Sequence, residues 1–122
     1  MTTLYATLGH KGIVFGINET EVEHIVTTQD LLPILLKLIG EVPKIRKIYV
    51  IELHPKQLKS QPVTQEDFKA AVPDRQIELI TYNKLKEIGH NTTEEEFDYK
   101  RPEPDDIAVI LYTSGLMTII MT

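Results

Sequence analysis

At 122 residues, with 42% hydrophobic and 25% charged residues, the chain has the size and composition of one soluble globular domain. Its formal net charge is −5 and its densest basic cluster is only Lys44, Arg46 and Lys47, which argues against a nucleic-acid partner, because phosphate binding needs a clustered positive surface. The absence of cysteine excludes disulfides, thiolate metal sites and a cysteine nucleophile, and no apolar run approaches the ~18 residues of a membrane span.

The first residues carry neither a basic nor an apolar secretory pattern, so a cytoplasmic location is expected and the sequons at Asn18 and Asn91 read as chance matches. Residues 2–7 read as a short strand, being β-branched and aromatic. Residues 8–15 follow as a short helix that Gly16 closes as a cap. Residues 23–27 give a second strand. The clearest helix comes next. Asp30 serves as its N-cap and Pro33 falls in its first turn, where a missing N–H costs nothing. Leu31, Leu32, Leu35, Leu38 and Ile39 recur at helical spacing, and Gly40 and Pro43 end the element.

Residues 47–52 form a β-branched strand, followed by a polar stretch at 54–74 in which 64–71 predict a turn or two of helix. Residues 76–81 alternate polar and apolar as a half-buried strand does. Residues 82–88 predict a helix ended by Gly89, and 90–104 an acidic surface loop. The run Ile107-Ala-Val-Ile-Leu111 has no polar alternation, so it is expected in the middle of a parallel sheet covered on both faces. The alternation of strands and helices predicts an α/β fold with a mostly parallel sheet and flanking helices.

In open α/β sheets ligands bind at the carboxyl ends of strands. Tyr112-Thr113-Ser114-Gly115 stands at such an end. Glycine admits close backbone approach and the hydroxyls donate, a physical case for phosphate binding, although on those four residues alone a plain strand-to-loop turn is the better reading. Other groups are poorer candidates. His10, His24, His54 and His90 lack metal-ligand spacing. Asp105 and Asp106 are adjacent on an extended segment and face opposite ways, so Asp106 is read as ordering the approach to the last strand. Residues 94–98 read as a solvated acidic loop. No catalytic residue and no metal ligand is assigned.

The longer pattern Arg101-Pro-x-Pro-x-Asp106-x-Ala108-x-x-x-Tyr112-Thr-Ser-Gly115 resembles the approach to the AMP-binding signature of adenylate-forming enzymes. Thr3-Leu-Tyr-Ala-Thr-Leu-Gly9, Gly16-Ile-Asn-Glu-Thr-Glu21, the junction at 27–32, and Val42-Pro43 leading into Ile48-Tyr49-Val50 resemble one branch, the animal long-chain fatty acid–CoA ligases. The resemblance implies a partial AMP-dependent synthetase/ligase domain over 1–122, matching to about residue 115. Intact members use ATP and Mg²⁺ to convert a fatty acid to its acyl-adenylate, then transfer the acyl group to coenzyme A. They are often associated with the endoplasmic reticulum or the mitochondrial outer membrane. By the same resemblance Tyr112, Thr113, Ser114 and Gly115 would open the loop that holds the ATP phosphates.

In the family the run continues Ser-Thr-Gly-x-Pro-Lys-Gly. Here it continues Leu116-Met-Thr-Ile-Ile-Met-Thr122, without lysine and mainly apolar. Such side chains cannot replace donors that stabilise developing phosphate charge. The first residues also resemble an internal strand of the larger domain. The expectation is therefore a synthetase fragment that is inactive alone and binds no cofactor productively. The alternative is a non-catalytic α/β interaction or regulatory module, self-associating through its apolar tail.

Overall fold

A computed structural model describes residues 1–54, 56, 62–93 and 101–112. Strands form where β-branched residues are densest. β1 (Thr2–Thr3), β2 (His24–Thr28), β3 (Lys47–Ile51), β4 (Glu78–Thr81) and β5 (Ile110–Leu111) make two separate sheets, in the orders β2-β3-β4 and β1-β5, and every pairing is parallel. In the larger sheet Ile25 lies opposite Ile48, which lies opposite Leu79. Ile48 and Val50 of β3 are buried while Lys47 and Tyr49, which alternate with them, are only half-buried, the two-residue period of a strand with one core face. In the smaller sheet the Met1 amino group donates to Ala108 O at 2.9 Å, and Ile110 N–H donates to Met1 O at 2.8 Å.

Among the described residues four α-helices accompany the strands: α1 (Gly9–Glu19), α2 (Leu32–Leu38), α3 (Gln65–Ala71) and α4 (Tyr82–Asn91). The core collects Ile17 from α1, Leu32, Leu35 and Leu38 from α2, Ile48 and Val50 from β3 and Phe68 from α3, with Ile39, Val42, Ile45 and Ile77 from the connections. Burial of each such side chain contributes about 1.5–3 kcal/mol. Hydrogen bonds then fix the element ends. Thr64 and Asp67 form a reciprocal capping box at the start of α3. The Gln65 amide donates to Ile77 O and accepts from Leu79 N–H at 2.7 Å, so one side chain occupies main-chain groups along β4 as a neighbouring strand would. Arg75 donates to Val42 O at 2.7 Å and to Ile39 O, serving carbonyls at the end of α2 and the 3-10 turn (Ile39–Glu41) after it.

The α/β class and the parallel pairing agree with the sequence reading; several local expectations do not. β1 covers two residues and gives way to a 3-10 turn, Ala6–Leu8. Gly16 does not cap α1 but lies buried inside it, where Leu4 and Tyr112 approach the helix: a Cβ there would stand 2.6 Å from Leu4 Cδ2 and 3.5 Å from Tyr112 Cε2. The left-handed residue after α1 is Glu21, at φ 53°, whose N–H donates to Asn18 O at 3.2 Å. Asp30 does not cap α2, because a 3-10 turn (Gln29–Leu31) precedes that helix and Leu32 N–H already donates to Gln29 O. α4 runs through Gly89 to Asn91, its end held by Thr92 Oγ1 donating to Ile88 O at 2.8 Å.

The largest correction concerns residues 107–111. Only Ile110 and Leu111 are paired, and they pair with the two-residue β1 rather than inside a larger sheet. Ile107 is 76% and Leu111 65% exposed, so this strand is not covered on both faces among the described residues.

Candidate functional site

Tyr112 follows β5 at its carboxyl end, where the sequence places the phosphate-binding loop. The residue before it, Leu111, is paired with Thr3 in the β1–β5 ladder. The side chain of Tyr112 is held by α1: the ring lies against Gly16, and the hydroxyl donates to the Glu19 carboxylate at the end of α1. That bond, with some burial and the Glu19 charge, pushes the Tyr112 pKa up to about 12. The phenol is therefore a neutral donor at physiological pH and no general base. Its partner is 93 residues away in sequence, and no local pattern in residues 9–21 signals the contact. Thr113, Ser114 and Gly115, and the tail 116–122, lie outside the described residues.

Upstream of the strand, Asp106 closes a turn. Its carboxylate accepts from Glu103 N–H at 2.7 Å, and its own N–H donates to Glu103 O at 3.0 Å. It thus orders the approach to β5, as the sequence suggested. Beside the site, an apolar cavity of about 460 Å³ separates the β1 segment from β2, with Leu4, Ile13, Ile17, Ile25 and Leu35 among its walls.

This geometry can be set beside known proteins. Over 112 residues the chain is 31% identical to the peroxisomal long chain acyl-CoA synthetase 7 of Arabidopsis thaliana, an alignment covering 92% of this chain and 14% of that protein. The peroxisomal long chain acyl-CoA synthetase 6 of the same plant is 30% identical with the same coverage. Long-chain-fatty-acid–CoA ligase 1 of Saccharomyces cerevisiae is 27% identical, covering 94% of this chain and 17% of the yeast protein. The chain is homologous to a segment of the long-chain acyl-CoA synthetases. It spans about one-seventh of the plant relatives' length, 14%. No family model matches it, and no solved structure does.

Several of the remaining candidates within this synthetase-like segment make structural contacts, while the acidic residues 94–98 lie outside the described residues. Each member of the basic cluster faces a carboxylate: Lys44 with Glu21 at 2.5 Å, Arg46 with Glu23 at 3.7 Å and Lys47 with Glu78 at 3.4 Å. His10 Nε2 is 2.5 Å from Glu41 Oε1, and His24 stands edge-on to Tyr49 with ring centroids 5.8 Å apart. Among the described residues no group of three His, Cys, Asp or Glu side chains gathers to hold a metal ion, and no helix is long and apolar enough to cross a membrane.

Proposed function

We propose that this chain corresponds to part of the nucleotide-binding region of a long-chain acyl-CoA synthetase, and that the 122-residue chain by itself does not complete the synthetase reaction. The observation carrying this reading is the match to synthetases across 92% of the chain. Its likeness to ATP-phosphate-binding loops rests on Tyr112-Thr113-Ser114-Gly115, and the position of Tyr112 at the carboxyl end of a parallel strand fits that role. In an intact enzyme ATP and Mg²⁺ would supply the leaving pyrophosphate and its charge neutralisation. This chain's part would be to present Thr113 and Ser114 hydroxyls and the Gly115 backbone N–H to the phosphates. The inactive half of the proposal follows from residues 116–122, which bring seven side chains without a positive charge to where the signature needs Ser-Thr-Gly-x-Pro-Lys-Gly.

The test is pyrophosphate release by the purified chain with ATP, Mg²⁺ and palmitate. No release above the protein-free background is expected. Turnover comparable to an intact synthetase overturns the inactive part of the reading. Exposed Val26, Leu85, Ile88, Ile107 and Leu111 favour a second, compatible role in association, with itself or with a synthetase polypeptide. Sedimentation velocity separates these: a concentration-independent monomer that ignores added synthetase removes the association role.

A further inference from the structure

The two sheets present strand edges to one space. Among the described residues β1 pairs only with β5, and β2 has only β3 beside it. The apolar cavity between them is lined by the consecutive residues His24, Ile25, Val26 and Thr27 on one side and by residues 1–6 on the other. Side chains alternate faces along a strand, so a cavity that touches four residues in a row runs along the strand's edge and not over one face. The main chain agrees. Glu23 O accepts from Arg46 and Lys47 N–H, so Glu23, Ile25 and Thr27 turn their main-chain groups to β3, while His24 and Val26 turn theirs to the free edge. Met1 O likewise accepts from Ile110 N–H, so Thr2 turns its main-chain groups away from β5. Val26, in the middle of β2, is 69% exposed although its neighbour Ile25 packs against the core.

Such an edge asks for a donor and an acceptor at every second residue together with apolar side chains, and a strand supplies both. Its direction follows from its neighbours. Both flanking pairs are parallel, and β1-α1-β2 is a crossover of the kind that carries parallel strands within one sheet. We propose that the space between β1 and β2 receives one parallel β-strand from the part of a long-chain acyl-CoA synthetase outside this segment, joining the two sheets in the order β5-β1-strand-β2-β3-β4. This rests on the synthetase reading above. The aligned segment is 14% of the Arabidopsis relative, so most of such a polypeptide lies outside it. The chemistry of the strand follows from its walls. One face meets Ile17, Ile25 and Leu35, and the other meets Val26. It is therefore a run of about five uncharged, β-branched residues, matching the five of β2.

The test follows backbone amide exchange in the full 122-residue chain by NMR, with two probes. The first is a set of overlapping peptides of about 12 residues that tile the Arabidopsis synthetase 7 outside the aligned segment. The second is an unrelated peptide of alternating valine and threonine flanked by lysines. One stretch of the synthetase, shared by neighbouring peptides, is expected to slow exchange at His24 and Val26 roughly tenfold, while Ile25 and Thr27, already bonded to β3, change little. Val26→Pro removes an outward N–H and leaves the β2–β3 bonds, so it is expected to weaken binding of that peptide roughly tenfold with Ile25 and Thr27 still protected. No slowing by either probe overturns the strand site. So does slowing that appears with rising protein concentration alone, which makes the edge an interface between copies. Protection of His24 and Val26 without any peptide, released by deleting residues 116–122, overturns it too, because the chain's own tail is then the occupant. Slowing by the valine–threonine peptide but by no synthetase peptide keeps the strand site and overturns the synthetase reading instead.

Discussion

Tyr112 gives the chain an alkaline signature. Because its folded-state pKa is raised, to about 12, the folded form favours the neutral phenol. The stabilisation is complete below the ordinary value of 10.0 and is lost as pH rises through 12. Tyr112→Phe should therefore lose stability less steeply than the parent between those limits in urea titrations at stepped pH; identical slopes would deny the contact. On the acid side the sign reverses. Hydrogen bonds from the Thr64 backbone and hydroxyl hold Asp67 below the usual carboxylate range, and the bond and charge of Lys44 do the same for Glu21. Both contributions are present above their ordinary pKa values and fade as pH falls through the depressed ones. Asp67→Asn should flatten the acid limb of the stability curve. Gly16 is the tightest of the described glycines. Gly16→Ala gains about 1 kcal/mol of helix propensity but must displace the flexible tip of Leu4, so a change within about 1 kcal/mol is expected, while Gly16→Val should cost about 1–3 kcal/mol by overpacking.

At the scale of elements, stability concentrates in α2, α3 and the sheet face they share a core with. Phe68 is fully buried, and Phe68→Ala should cost about 3–5 kcal/mol in denaturant unfolding. Arg75→Ala strips the donors from Ile39 O and Val42 O and should cost about 1–2 kcal/mol; Arg75→Lys should recover less than half, since one ammonium does not reproduce a planar fork. A lysine as good as arginine would contradict that geometry. These elements were largely legible in the sequence. Leu32, Leu35, Leu38 and Ile39 are buried at the helical spacing that announced them, and β3 and β4 fall within the β-branched and alternating runs. Element ends were less legible, because they depend on which group reaches an unpaired donor first. Gln29 O displaced Asp30 as the acceptor at the start of α2, and Thr92 carried α4 past Gly89. The partnerships of Arg75 and Glu19 join distant parts of the chain, and local periodicity carries no information about them.

For the whole molecule, an apolar run states what surroundings a segment favours without supplying them. Residues 107–111 read as a doubly covered strand, yet Ile107 and Leu111 stand in the open beside a two-residue partner. The same holds for the site: its family was legible in the approach through Arg101 to Gly115, while the α1 contact that holds Tyr112 was not. The synthetase account turns on the contrast between a segment that matches to about residue 115 and the seven residues after it. The most direct measurement grafts two versions into the Arabidopsis synthetase and follows acyl-adenylate formation. One replaces the aligned segment with residues 1–115; the other extends the replacement through Leu116–Thr122. The account predicts adenylate from the first and none from the second, with both folded. Equal activity in the two, or a folded first graft without activity, would contradict it.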